Sequence, residues 1–112
     1  MLKFNNKKYV CHLDLAMDMI RGKWKAVLLC HLIDGPKRFL CLHRITGGIS
    51  QKVLNENLLD LESNGLIHKK VYAEIPARVE YSLTDKGMDL APIILNLQNW
   101  SKKYYNDIQH ID

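Results

Sequence analysis

The chain has 112 residues, which is enough for one domain and too few for two of ordinary size. Hydrophobic residues make up 47% of it and charged residues 25%, a balance that is typical of a globular domain and argues against a disordered chain. The formal net charge of +4 suits a polyanionic partner, and no apolar stretch approaches the roughly 18 residues that a membrane span needs.

The first nine residues are polar and carry several lysines, so we predict an arm at this end of the chain. The same lysines stand where a signal peptide needs an apolar run. We therefore expect a cytoplasmic protein.

Three helices are predicted in the first half of the chain. Residues 13–20 have apolar side chains at spacings of three and four, which is typical of a short amphipathic helix. A glycine ends it, and a second helix follows over about residues 23–33. That helix is apolar over more than half its circumference, so we expect it at the centre of the core, with Trp24 packed there. Residues 39–45 form a third, short helix.

A fourth helix is predicted over residues 50–64. Ser50 is a good N-cap because its hydroxyl accepts a hydrogen bond from an amide of the first turn. Gly65 suits the position after the helix end, where the chain turns left-handed. Leu54, Leu58 and Leu61 recur at helical spacing and form a stripe that we expect to be buried.

The exposed start of this fourth helix carries Gln51, Lys52, Asn55 and Glu56. Most of these side chains donate hydrogen bonds, and the glycine turn at residues 46–48 places the helix directly after the third one. Helix, short glycine turn and helix is the helix-turn-helix pattern, in which such a polar start enters the major groove of DNA. An ordinary surface helix is the alternative.

The hydrophobic period changes after the fourth helix. Residues 67–74 and 78–83 alternate between two faces, and a turn that contains Pro76 lies between them, which predicts a β-hairpin. A hairpin that directly follows a recognition helix is the wing of a winged helix-turn-helix domain. Arg78 flanks its tip and is placed to contact phosphates or a minor groove, and Lys69 and Lys70 lie on its first strand. For each basic residue, a solvated strand face is the alternative.

A long last helix begins after Thr84, which we predict to be its N-cap. Pro92 falls inside the helix and is expected to kink it. Five large apolar residues follow one another at spacings of three and four, which is typical of a seam between two helices. Either the domain's own core or a second subunit must cover this seam, and we expect a second subunit. The seam consists of Leu90, Ile93, Leu97, Trp100 and Tyr104.

Five short motifs together resemble the HxlR-type transcription regulators, which are bacterial, MarR-like winged helix-turn-helix proteins. The motifs are GKW at 22–24, RF at 38–39, ISxKxL at 49–54, LxxLxxxGL at 58–66 and VEYSLTxxG at 79–87. The match runs from about Cys11 to Trp100, and VEYSLT is its most specific part.

The resemblance implies a mainly α protein with a small β-hairpin wing, an α+β fold in which residues 1–112 form a single winged helix-turn-helix domain. Within it, residues 13–83 form the DNA-binding core and residues 84–109 the C-terminal dimerisation helix. It also implies a homodimer on a pseudo-palindromic operator with half-sites one helical turn, ~34 Å, or a multiple apart. The candidate DNA-binding residues are Arg38, Ser50, Gln51, Lys52, Asn55, Glu56 and Arg78.

Three residues of the fourth helix depart from the family pattern. Asn57 stands where the family often has a basic residue, and Leu59 occupies a position that is usually polar. Glu56 can accept a hydrogen bond from a cytosine amine but repels phosphates. The operator sequence therefore cannot be transferred from the resemblance.

The cysteines suggest one candidate for regulation. Some regulators that resemble this chain sense oxidants or electrophiles through a cysteine before the first helix, and Cys11 stands at that position. Lys7, Lys8 and His12 are near in sequence and favour its thiolate form. A buried, inert cysteine is the alternative, and control by a small-molecule effector is another. Cys30 lies on a mostly apolar helix and Cys41 on a short one, so we expect both to be packed.

Other functional classes find little support in the sequence. It has no glycine-rich phosphate loop, no HExxH and no GxSxG motif, so we expect no enzyme. Its three cysteines lack CxxC spacing, and we expect no metal site and no cofactor. A winged helix that binds protein instead of DNA is the nearest alternative, although the basic residues near the fourth helix weigh against it.

Overall fold

The computed structural model describes residues 1–111 and shows an α+β fold of five helices and two small antiparallel sheets within that range. None of these helices combines the length and the hydrophobicity needed to cross a bilayer. In chain order the elements are β1 (Leu2–Phe4), β2 (Lys7–Tyr9), α1 (His12–Met19), α2 (Lys25–His31), β3 (Lys37–Arg38), α3 (Phe39–Thr46), α4 (Gln51–Ser63), β4 (Ile67–Tyr72), β5 (Arg78–Leu83) and α5 (Asp85–Tyr105).

The first nine residues form a hairpin, so the prediction of an arm was wrong. β1 pairs with β2 around Asn5 and Asn6, whose φ angles of 50° and 63° match the two left-handed positions of a type I′ turn. Tyr9 anchors the hairpin because its buried ring brings the hydroxyl within 2.6 Å of the Asp18 carboxylate on α1, to which it donates a hydrogen bond. This hydrogen bond lowers the pKa of Asp18 and raises that of Tyr9.

The core lies between α2, α3, α4 and the three-stranded sheet. Leu28 and Leu29 of α2 and the following Leu32 are buried, as the apolar pattern predicted, and Trp24 is partly buried against this core. The helix is shorter than expected. It begins at Lys25, because Trp24 is its N-cap, and it ends at His31, with Leu32 as its C-cap. By contrast, α1 has no buried residue, and Leu13 and Met17 of its predicted apolar face are exposed in a single chain.

The second sheet has the strand order β3-β5-β4. β4 and β5 form the predicted hairpin, with Ile67 opposite Leu83 at its base and Tyr72 opposite Arg78 near its tip. β3 was not predicted, because two residues are too few to show an alternating pattern.

The two halves of α5 differ. Gly87, Ala91 and Ile94 face the core, whereas every described residue from Leu95 to the end is exposed. The helix continues through Pro92 and ends at Tyr105, four residues before the predicted end at 109. Residues 106 and 107 are asparagine and aspartate, which are poor helix formers, and a negative charge is unfavourable at a helix C-terminus.

Candidate nucleic-acid interface

The first turn of α4 is exposed and its local structure is that of a well-defined helix start. The Val53 amide donates a 3.1 Å hydrogen bond to the Ser50 hydroxyl, so the predicted N-cap is confirmed. Gln51 and Lys52 are exposed, and no acidic residue lies in this turn. The free amides and the positive end of the helix dipole therefore face solvent without a competing carboxylate, which suits a phosphate or another anion.

The opposite side of α4 fixes the helix to the core. The predicted stripe of Leu54, Leu58 and Leu61 is buried, with each residue no more than 1% exposed. Before it, Gly47 and Gly48 have φ angles of 63° and 81°, which reverse the chain between α3 and α4. The exposed start of α4 is thus held on a rigid support.

Two further candidates on α4 lie one turn beyond the first. Asn55 and Glu56 are both exposed, so Gln51 and Asn55, four residues apart, share one face. Asn57 lies on a different side, half-buried, and its amide donates a 2.8 Å hydrogen bond to the Val53 carbonyl oxygen. Asn57 therefore does not occupy the polar face, whereas Leu59 is 51% exposed.

The basic residues around α4 differ in how they are paired. Within residues 1–111, neither Lys52 nor Arg38 forms an ion pair with a carboxylate. Lys25 lies 3.3 Å from Asp60 and so offsets the acidic charge farther along α4. Lys52 and Arg38 therefore retain their full charge for a polyanionic ligand.

Arg78 on the wing is held by its own hairpin. Its Nε lies 2.8 Å from Oε2 of Glu74, out of line for a hydrogen bond, and its Nη1 lies 3.6 Å from Oε1 of Glu80. Its guanidinium stacks on Tyr72, 3.8 Å from the ring centroid. Two carboxylates thus offset one positive charge, and the side chain is only 30% exposed. That Arg78 contacts phosphate stays a prediction, and a phosphate would have to compete with both carboxylates.

The solvent face of the sheet also carries charge from neighbouring strands. Arg38 on β3 pairs in register with Glu80 on β5, which pairs in turn with Lys70 on β4. Side chains in register on neighbouring strands point to the same face. The sheet therefore places Arg38 beside the wing, in line with Lys70, which the sequence pattern alone did not show.

The seam predicted on α5 is largely exposed. Leu90 packs partly against the core, whereas Ile93, Leu97, Trp100 and Tyr104 are each more than half exposed. The Trp100 ring lies 5.8 Å from that of Tyr104, which gives an aromatic surface at the end of the helix. Such a run of exposed large apolar residues is unusual for a monomer.

An apolar groove of about 270 Å³ continues this surface towards α1. Ala16 and Met19 of α1 line it on one side, and Leu90 and Ile93 of α5 line it on the other. The groove therefore connects α1 with the first two residues of the seam on α5.

The three cysteines lie in different surroundings. Cys11 is exposed at the N-cap of α1, where its side chain makes no capping hydrogen bond. Lys7, one of its predicted basic neighbours, lies 3.5 Å from Asp18. Cys30 and Cys41 are half-buried, and burial raises the pKa of the Cys30 thiol. Within residues 1–111, no group of three acidic, histidine or cysteine side chains is placed to hold a metal ion.

A second groove, of about 680 Å³, lies between α2 and α5. Its lining is mainly apolar and includes Val27, Ile94 and Leu97, together with Cys30 and His31. Burial lowers the pKa of His31, and the nearby Lys37 lowers it further. Leu97, which lines the groove, also belongs to the seam.

The fold and the interface define a winged helix-turn-helix DNA-binding protein, in which α3 and α4 form the helix-turn-helix and β4 and β5 the wing. The chain belongs to the HxlR-like helix-turn-helix family, which it matches over residues 19–109. This match confirms the resemblance found in the sequence, and the chain is a DNA-binding transcription regulator.

Individual relatives agree with this assignment. The HTH-type transcriptional regulator YdeP of Bacillus subtilis is 43% identical over 102 residues, which are 91% of this chain and 80% of that protein. The redox regulator HypR in its oxidized form has a TM-score of 0.80 at 40% identity, over 90% of this chain and 100% of that chain. The reduced form of the transcriptional regulator YodB from B. subtilis has a TM-score of 0.76 at 30% identity, over 91% and 100%.

Sequence reasoning missed the partners of Arg78. The strands of the hairpin place Tyr72 opposite Arg78, and Glu80 follows two residues later on the same face. A signal was present, because an alternating run that contains arginine and glutamate two apart predicts two neighbouring charges. Neither interpretation that the sequence offers for Arg78, a phosphate contact or a solvated strand face, includes these partners within the hairpin.

Proposed function

We propose that the chain acts in the cytoplasm as a homodimer, and that the two α4 helices enter successive major grooves of a pseudo-palindromic operator. The observation that carries the proposal is the exposed half of α5. Burying one large apolar side chain stabilises an assembly by about 1.5–3 kcal/mol, and Leu97, Trp100 and Tyr104 lie in water in a single chain. A second copy offers the same surface, as a two-fold interface requires.

The roles of the contact residues follow from their chemistry and exposure. Gln51 and Asn55 contact base edges, with adenine the favoured partner of an amide side chain. Lys52 and Arg38, which are unpaired among residues 1–111, contact phosphates. Ser50 also contacts the phosphate backbone of DNA. Its hydroxyl oxygen accepts the capping hydrogen bond, so its hydroxyl hydrogen remains available to donate. Glu56 accepts a hydrogen bond from a cytosine amine, and Arg78 on the wing contributes a weakened phosphate contact.

The dimer is tested by measuring the mass of the chain in solution. Sedimentation should give twice the 13.0 kDa mass of one chain for the wild type. Leu97→Asp should give the single-chain mass and a lower DNA affinity, with the thermal transition of the single domain retained because Leu97 is exposed. Asn96→Asp, an equal charge change at the adjacent exposed position, is the matched control and should stay dimeric. A monomeric wild type would refute the proposed dimer.

We also propose that oxidation of Cys11 controls DNA binding. Two observations support this. Cys11 is exposed, whereas Cys30 and Cys41 are half-buried. Cys11 also directly precedes α1, which shares a groove with α5 next to the proposed interface. Hypochlorite would transfer its oxygen to the Cys11 thiolate, giving a sulfenic acid and chloride. Two relatives are themselves a redox regulator, HypR, and a regulator studied after diamide treatment, YodB.

The sensing role is tested by DNA affinity before and after hypochlorite treatment. The affinity of the wild type should change, and that of Cys11→Ser should not. Cys41→Ser removes a half-buried thiol and should respond like the wild type. An equal response from wild type and Cys11→Ser would remove Cys11 from the mechanism.

A further inference from the structure

The end of the recognition helix α4 is bonded directly to the start of α5. α4 closes with the two hydrogen bonds of a Schellman motif, from Leu66 N to Leu61 O and from Gly65 N to Glu62 O, each 2.9 Å long. Gly65 has a φ of +73°, the left-handed conformation that this motif requires. The motif turns the next carbonyl groups away from the helix, towards α5.

The carbonyl oxygens of residues 64–66 then accept hydrogen bonds from two residues: Thr84, the N-cap of α5, and Lys86 in its first turn. The Lys86 ammonium donates to Asn64 O at 2.8 Å, the Thr84 hydroxyl to Gly65 O at 2.6 Å, and the Thr84 amide to Leu66 O at 3.1 Å. Lys86 also places a positive charge at the negative end of the α4 dipole. We call these five residues the α4–α5 joint.

Thr84 is the centre of the joint because it uses all of its polar groups. Besides donating to Gly65, its hydroxyl accepts a 3.1 Å hydrogen bond from the Gly87 amide and so caps α5. Its own carbonyl accepts from the Met88 amide at 2.8 Å. The Thr84 side chain therefore caps α5 and also binds the residue that follows the end of α4.

Gly87 brings the two backbones into contact at the same place. A Cβ atom built on Gly87 would lie 2.1 Å from the Leu66 carbonyl oxygen, a distance that no side chain can occupy without moving the backbone. The joint is thus hydrogen-bonded on one side and closely packed on the other, and both features restrict movement of α5 relative to α4.

We propose that Thr84 is a positioning residue that sets the spacing of the two operator half-sites. The proposal rests on the proposed dimer, in which α5 holds the two subunits together and α4 of each contacts DNA. The distance and rotation between the two α4 helices then depend on the angle between α4 and α5 in each subunit, and the joint fixes that angle. Each additional base pair between half-sites displaces them by about 3.4 Å along the axis and by roughly a tenth of a turn around it.

The experiment measures the affinity for a series of operators whose half-sites are moved apart or together by one and two base pairs, and for a single half-site. The wild type should show a maximum at one spacing, with roughly tenfold weaker binding one base pair away, equivalent to about 1.4 kcal/mol. Thr84→Val keeps the shape of the side chain and removes the hydroxyl. It should reduce that discrimination by about threefold or more and leave single half-site affinity unchanged.

Three variants sharpen the reading of this result. Thr84→Ser retains the hydroxyl and should restore the wild-type profile, whereas Gly87→Ala, which inserts a Cβ into the joint, should shift or flatten it. Thr46→Val is the matched control, because it also removes a threonine hydroxyl, but one whose buried oxygen has no hydrogen-bond partner among residues 1–111. It should keep the wild-type profile.

Three results would overturn the proposal. If Thr84→Val keeps the wild-type spacing profile, the positioning role of Thr84 is wrong and the proposed dimer is unaffected. If Thr84→Val loses binding to a single half-site, Thr84 has a purely structural role. A wild type that binds equally at all spacings contradicts the paired half-site function itself. If Thr84→Val does not fold, Lys86→Met decides, since it removes one exposed bond of the joint, with Lys3→Met as the charge-matched control on β1.

Discussion

The recognition helix and the wing each carry a basic residue that was predicted to contact DNA, but the two residues have different surroundings. The start of α4 exposes Lys52 without an ion pair among residues 1–111, on a helix whose other side is wholly buried. The wing exposes a loop at residues 73–77, and its one arginine, Arg78, is held by Glu74, Glu80 and Tyr72. Basic residues of the same domain therefore have two roles: Lys52 leaves its charge available to a ligand, whereas Arg78 stabilises the wing that carries it.

The largest effect should come from the buried leucines that hold α4 on the core, and it should appear in the free energy of unfolding. Leu58→Ala removes a side chain that is 1% exposed and should lower the free energy of unfolding by about 2–5 kcal/mol. The neighbouring Leu59→Ala, at 51% exposure, is the matched control and should cost well under about 1 kcal/mol. Urea denaturation of both variants measures the difference. Equal losses would mean that α4 does not sit on the core as described.

The next effect concerns base recognition by α4. Asn55→Ala should relax the preference at one base pair of each half-site by about 1–3 kcal/mol and leave affinity for random DNA unchanged. Asn57→Ala is the matched control, because its amide is occupied by the Val53 carbonyl of the same helix. Competition between the operator and single-base variants measures this preference. Equal losses on operator and random DNA would show that Asn55 contacts no base.

The smallest expected effect is a difference between Lys52 on α4 and Arg78 on the wing in how much each contributes to the salt dependence of DNA binding. Lys52→Ala should weaken binding to all sequences and reduce the salt dependence of log K by about one unit. Arg78→Gln should change that slope by less than half as much, because two carboxylates already offset the charge of Arg78. Anisotropy titrations at several salt concentrations measure both slopes. A larger change for Arg78→Gln than for Lys52→Ala would reverse the comparison.

Much of this arrangement could be predicted from the sequence, because it depends on local patterns. The N-caps Ser50 and Thr84, the leucine stripe of α4 and the hairpin at residues 67–83 were all confirmed, since each depends on residues within a few positions of one another.

What the sequence did not predict depends on long-range contacts. β3 exists only because β5 provides its partner, and the joint connects Gly65 with Thr84, nineteen residues later. The stacking of Arg78 on Tyr72 required the register of the hairpin, which the alternating pattern alone leaves open. The N-terminal hairpin is the exception, because two asparagines at its turn were a local signal that the prediction did not use.

The most direct test of the central claim, that a paired chain offers two α4 helices to one duplex, is the selection of bound sequences from random DNA at a fixed salt concentration. The selected duplexes should contain two inverted half-sites separated by one helical turn, about 10–10.5 base pairs centre to centre, or by a multiple of it. Selection of a single, unrepeated site, or of no sequence at all, would contradict the claim.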